Sequence, residues 1–146
     1  MSKISWFIKE NDVYSEKKEH HAGTFRKDEK IVINMQAWNN RWGVKDAEDI
    51  ISPVLSFRFD SFEDNALLRL CKVIVNQSLE LPVTVKDNSA VVVIGETIIG
   101  RSNDGDENSY ENKNNFIDIR LEIDIRDRDL KENDLKKMYF ELHPLS

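Results

Sequence analysis

The sequence predicts an antiparallel β-sandwich, jelly-roll-like in architecture, built by one domain over residues 1–146. Three observations predict it. Apolar and polar residues alternate with period two in one segment after another, the pattern of strands that bury a single face. Turn-forming residues separate most of these segments into seven or eight short strands, the spacing of a sandwich. Neither an internal repeat nor a Pro- or Ser-rich linker divides the 146 residues. At that length folding removes roughly 68–70% of the unfolded chain's surface, enough for a core without disulfides or metal.

Along the chain, "KISWFIK" sets Ile4, Trp6 and Ile8 against Ser5, Phe7 and Lys9. "KIVINMQAW" sets Ile31, Ile33, Met35 and Ala37 against Val32, Asn34, Gln36 and Trp38. "PVLSFRFD" offers Leu55, Phe57 and Phe59, and "LPVTVKD" offers Val83 and Val85. Pro53 and Pro82 precede these two strands, where a missing amide hydrogen does little harm. "AVVVIGETIIG" is apolar on both faces up to Gly95, as expected of a central strand or of two short ones. The clearest strand is "FIDIRLEIDIR", with Ile117, Ile119, Leu121, Ile123 and Ile125 on one face and Asp118, Arg120, Glu122, Asp124 and Arg126 on the other. "KKMYFELHP" repeats the pattern with Met138, Phe140 and Leu142 inside and stops at Pro144. Because the intervening "RDRDLKENDLK" is polar enough for a hairpin loop, these last two strands are expected to pair antiparallel. A true immunoglobulin domain would show a Cys–Trp–Cys pattern, which one cysteine cannot supply.

One stretch reads two ways. "SFEDNALLRLCKVIVNQ" opens with Ser61 and has Asp64 three residues on, like a capping box with Asp in the Glu position. On a helical wheel Asn65, Arg69, Lys72 and Asn76 form a polar stripe opposite Leu67, Leu70, Cys71 and Ile74. The β-branched Val73, Ile74 and Val75 favour strand instead. Residues 61–76 are thus either a helix over one end of the sheets or a turn at Phe62–Ala66 followed by a strand.

Composition narrows function by exclusion. An apolar fraction of 40% with 33% charged residues describes a soluble globular chain. No apolar run approaches the roughly 18 residues of a membrane span, and "MSKISWFIKENDV" lacks a signal peptide's long apolar region. The expected location is the cytoplasm, or a particle (a virion) assembled there. Of the net charge of -6, residues 101–135 carry eleven acids against six bases. That surface repels phosphate backbones and no basic stripe compensates, so nucleic acid is not an expected partner. A polybasic membrane-docking patch is also missing. Cys71, the only cysteine, reads as a buried structural thiol.

The candidate binding residues are Trp38, Arg41, Trp42 and Tyr110. In "MQAWNNRWG" two tryptophans and an arginine surround an Asn-Asn turn ending at Gly43. Exposed, they could stack on sugar rings or anchor a protein partner. Alternatively, Trp38 ends a strand in the core and Trp42 covers the open end of a sheet. Tyr110 is the only aromatic residue of "RSNDGDENSYENKNN", residues 101–115, which holds no aliphatic side chain. In that loop Asp104, Asp106 and Asn108 alternate like the oxygen ligands of a calcium loop. An EF-hand would need Gly and Glu where Ser109 and Asn115 stand, so that motif fails. The loop then reads as a solvated, mobile connection or as part of a looser calcium site. Adjacent His20 and His21 point apart and do not chelate one ion together. Paired carboxylates (Glu63 with Asp64, Asp104 with Asp106) read as surface charge, and no phosphate loop, metalloprotease helix or nucleophile elbow occurs.

Together these readings give a non-catalytic structural or interaction protein needing no cofactor, with no metal site assigned. It would be a component of a bacteriophage particle or another multi-subunit assembly, working through a protein partner or self-assembly. Thirteen asparagines with frequent Ile and Lys suit an AT-rich genome. The alternative is a carbohydrate- or calcium-binding sandwich module.

Overall fold

The computed structural model describes residues 3–17, 19–25, 30–59, 68–124 and 133–144. Among these, strands β1 (Ile4–Glu10), β2 (Val13–Glu16), β4 (Lys30–Asn39), β6 (Cys71–Val75), β7 (Leu79–Leu81) and β10 (Phe116–Asp124) form one antiparallel sheet, in the order β2-β1-β4-β10-β6-β7. Strands β3 (Glu19–Phe25), β5 (Pro53–Phe59), β8 (Thr84–Lys86), β9 (Ser89–Val93) and β11 (Asn133–Pro144) form the other, in the order β3-β11-β5-β9-β8. The protein is a β-sandwich. After each single strand or hairpin the chain crosses to the opposite sheet, which is its jelly-roll-like aspect.

Alternation along each strand sets the two faces. On β1 the core takes Trp6 and Ile8, on β4 Ile33, Met35 and Ala37, and on β10 Ile117, Ile119, Leu121 and Ile123. From the second sheet come Leu55, Phe57 and Phe59 of β5, Ala90 and Val92 of β9, and Met138 and Phe140 of β11. These residues form one contiguous cluster between the sheets. Each fully buried aliphatic or aromatic side chain contributes about 1.5–3 kcal/mol relative to exposure.

Local turn chemistry closes the hairpins. Asn11-Asp12 joins β1 to β2 and Asp87-Asn88 joins β8 to β9, each pair with both φ angles positive (50° and 66°; 53° and 66°). That is the type I′ geometry whose twist matches the flanking strands, and Asn and Asp tolerate it best after Gly. Asn76 and Gln77 also take positive φ between β6 and β7.

Two expectations are resolved here. Residues 71–75 are strand, β6, so the β-branched run decides the second half of the ambiguous segment. Leu68 and Arg69 carry the end of a helical turn, while residues 60–67, with the capping-box positions Ser61 and Asp64, lie outside the described residues. The expected hairpin between the last two strands is not formed. β10 pairs with β4 and β6, whereas β11 pairs with β3 and β5 in the other sheet. A polar linker is equally compatible with a hairpin and with a crossing between sheets; most of this one, residues 125–132, lies outside the described residues. No helix among the described residues is long and apolar enough to cross a membrane, a statement that does not bear on β-barrels.

Candidate functional site

The outward face of the six-stranded sheet is where the chain departs from a plain sandwich. On that face β1 presents Phe7, β4 presents Gln36 and Trp38, and β10 presents Phe116 and Asp118. By parity these are solvent positions, yet Phe7, Gln36 and Trp38 are buried, Trp38 completely. The cover is the long β9–β10 connection together with the β4–β5 loop. Arg41 lies at the centre, its guanidinium carbon 4.3 Å from the Phe7 ring centre, 4.4 Å from Trp38 and 4.3 Å from Trp42. Its Nε donates to Gly105 O at 3.0 Å. Trp38 stacks on Phe116 at 4.3 Å, and Phe7 meets Trp42 edge-on at 5.7 Å. The result is a second, small core in which the rings pack by apolar burial and their quadrupoles attract the cation. Burial lowers the Arg41 pKa from its usual value, against the opposing pull of Glu107, Asp106 and Glu16.

Asparagine amides hold the cover in place. Asn40, in left-handed backbone geometry at φ 63°, donates to Lys45 O and Gly100 O and so bridges the two loops. Asn39 does the same toward Glu48 O and Ile98 O. Asn103 donates to Asn40 O and Arg101 O, while its Oδ1 accepts from the Trp42 and Gly105 amides. Asn115, fully buried, donates to Ile99 O and Arg101 O. Ile50 and Ile98 exchange backbone bonds at 2.9 Å. Residues 101–115 are therefore anchored through their polar groups, with Gly105, Asn112 and Asn115 buried, while most of the loop's other side chains stay exposed to solvent. Buried loop backbone must find partners, and an Asn side chain supplies two donors and an acceptor at short reach.

The loop's calcium-like oxygens are used internally. Asp104 Oδ1 accepts from Asn112 Nδ2 at 2.6 Å and from the Asp106 amide, and Asp106 Oδ1 accepts from the Asn108 amide. The Asn112 bond first, then the Asp106 amide, lowers the Asp104 pKa. Among the described residues no three His, Cys, Asp or Glu side chains are grouped to hold a metal ion.

Beside this small core lies a polar cleft. The Trp38 indole donates to Gln36 Oε1 at 3.0 Å, which fixes the amide's orientation. Gln36 Nε2 then donates to Glu107 at 2.8 Å and to Asp118 at 3.1 Å. One amide nitrogen thus holds two carboxylates together. Burial raises the Asp118 pKa, the Gln36 bond opposes that rise, and Glu107 adds to it. Tyr14, half-buried across the cleft, has its pKa raised by burial and then by Asp118 and Glu107.

Of the four candidate residues, Trp38, Arg41 and Trp42 come together. Trp38 has no surface to offer, and the Arg41 guanidinium is flanked by three rings. Trp42 remains 55% exposed and Tyr110 78% exposed, the latter with Lys113 Nζ 3.9 Å from its ring centre. Cys71 is buried, and desolvation pushes its thiol up to about 12, in keeping with a structural role. The backbone of His20 and His21 lies in β3 opposite β11, and their side chains lie outside the described residues. Gln36, Glu107, Asp118 and Tyr14 were not among the sequence candidates. Parity puts Gln36 and Asp118 on solvent faces, but only strand pairing sets them opposite each other, and nothing in the sequence brings Glu107 to them. Comparison with protein-family models, with curated proteins and with solved structures finds no match for this chain.

Proposed function

We propose that the chain is a non-catalytic interaction protein that works in a multi-subunit assembly, with Trp42 as an anchor of the protein–protein contact. The observation that carries this reading is how Trp42 is presented. Its backbone is held at φ 60°, a left-handed conformation that costs a bulky residue about 1–2 kcal/mol. Asn103 bonds its amide, Arg41 backs its ring, and Gly105 passes so close that an added Cβ would lie 2.0 Å from the indole nitrogen. A large aromatic side chain is thus fixed with half its surface in solvent, and Val44, two residues on in the chain, is 94% exposed. Rigid, exposed tryptophan is the commonest kind of interface hot spot, because little side-chain entropy is lost on docking. The bacteriophage setting rests on composition alone, and a cytoplasmic origin or a place in a virion belongs to the same proposal.

Size-exclusion chromatography with light scattering over a concentration series tests the reading. The expected result is a mass above that of one chain, rising with concentration. Trp42→Ala should weaken association by about 2 kcal/mol or more, roughly thirtyfold in the association constant. A strict monomer at the highest concentration would count against the proposal.

A further inference from the structure

We propose that the cleft on the outer face of the six-stranded sheet is a binding site for a short, neutral, hydroxyl-rich glycan, independent of the Trp42 contact. The cleft consists of two adjoining hollows that share Tyr14, Gln77 and Asp118. The larger, about 370 Å³, is in the range of small-ligand clefts, about 300–1,000 Å³. Its floor is sheet: Gln36 of β4 faces Asp118 of β10, and Asn34 faces Arg120 one pair further on. The β1–β2 hairpin brings Tyr14 to one side and the β6–β7 turn brings Gln77 to the other, while Glu107 and Asn108 close the end. A floor of paired strands holds its polar groups in place before any ligand arrives, which lowers the entropy cost of binding.

The chemistry of the lining selects the ligand class. Glu107 and Asp118 each accept from Gln36 through one oxygen, leaving a second for a hydroxyl. Asn34, Gln77 and Asn108 both donate and accept. Tyr14 adds a ring edge and a phenol that can follow the C–H face and rim of a pyranose. A sugar hydroxyl is itself donor and acceptor, so this mixture can satisfy it. A phosphate would meet Asp12, Glu107 and Asp118 at close quarters. An organic cation is the rival, since two carboxylates beside an aromatic ring attract ammonium groups. That place is already attended: Lys9 Nζ is 5.9 Å from the Tyr14 ring centre. The other base, Arg120, is paired with Glu122 at 3.1 Å, though at an angle outside hydrogen-bond geometry.

Calorimetric titration of the whole chain with cellohexaose, maltohexaose, xylohexaose and chitohexaose, and with an oligolysine peptide, tests the site. Saturable binding of at least one hexaose is expected, with Kd of about 10 μM to 1 mM. Asp118→Asn keeps an oxygen for Gln36, so it retains the fold, yet should weaken binding about tenfold by removing a charged acceptor. Tyr14→Ala should do the same through the lost ring. Val93→Thr, an exposed change on the other sheet, should leave Kd unchanged. Thermal midpoints no lower than that of wild type in these variants would establish that losses are local. The proposal is overturned if no hexaose saturates the chain, if oligolysine binds instead, or if hexaose binding survives both groove substitutions.

Discussion

Arg41 illustrates how a charged residue becomes structural. Three aromatic rings flank its guanidinium, and Gly105 O takes its Nε proton. A planar cation is suited to this place, and a compact, strongly hydrated ammonium is not. Arg41→Ala should therefore lower unfolding free energy by roughly 2–3 kcal/mol, combining cation–π attraction with a charge-assisted bond. Arg41→Lys should recover less than half of it, as read by urea denaturation. Asp118 is the opposite case, a charge in an unfavourable place. Burial first, and Glu107 after the opposing Gln36 bond, raise its pKa. A carboxyl raised in this way binds its proton more tightly folded than unfolded. The stability it contributes is complete below the unfolded value of about 3.9 and is lost as pH rises through the folded value. Asp118→Asn removes the charge and keeps an acceptor for Gln36, so thermal melts at pH 7 should show the variant more stable than wild type. The difference should close as the pH falls toward about 4.

At the scale of elements, the loop over residues 101–115 behaves as a folded unit whose core is made of amides. Gly105 has φ 74° and lies against the Trp42 indole. Gly105→Ala adds both left-handed strain and a clash with a ring, and should shift Trp42 outward. A red shift in tryptophan emission with destabilisation of about 1–3 kcal/mol is expected. Asn115→Ala leaves the carbonyls of Ile99 and Arg101 without their side-chain donor. It should cost about 1–3 kcal/mol and speed hydrogen exchange at the Asn103 and Gly105 amides before the sheets are affected. This loop is also where the sequence was least legible. Asn and Asp are written the same way whether they face solvent or bracket buried carbonyls, so a run without aliphatic residues reads as solvated. The strands were readable because parity alone tells Ile119 from Asp118. Pairing was not readable: β10 and β11 follow one another in the chain yet belong to different sheets, because a polar connection carries no record of which sheet comes next. The cleft combines both difficulties. Gln36 and Asp118 meet only through the β4–β10 register, and Glu107 arrives from a loop whose path is set by the Asn39, Asn40 and Asn103 amides.

For the whole molecule, repeated crossing between sheets means that neighbours in space are seldom neighbours in sequence. β4, β10 and β6 stand side by side in the sheet, yet none follows another directly in the chain. Apart from the β1–β2, β6–β7 and β8–β9 hairpins, strand pairs join distant parts of the chain, so the sandwich should unfold as one cooperative unit and fold slowly for its size. Cys71 offers a way to observe this. It pairs with Ile123 across β6 and β10 and is buried in the core cluster shared by both sheets. Burial pushes its thiol from the usual value near 9 up to about 12, so at pH 8 the folded protein presents almost no thiolate to an aromatic disulfide reagent, whereas the unfolded chain does. The raised value contributes stability fully below about pH 9 that is lost as pH climbs toward 12. Labelling across a urea series should therefore follow the same curve as circular dichroism. Leu121→Ala, which opens a cavity at the centre of β10 and costs about 2–5 kcal/mol, should move both curves together to lower urea. Labelling that runs ahead of the spectroscopic transition would mean that β6 opens independently, and that the two sheets do not form one cooperative core.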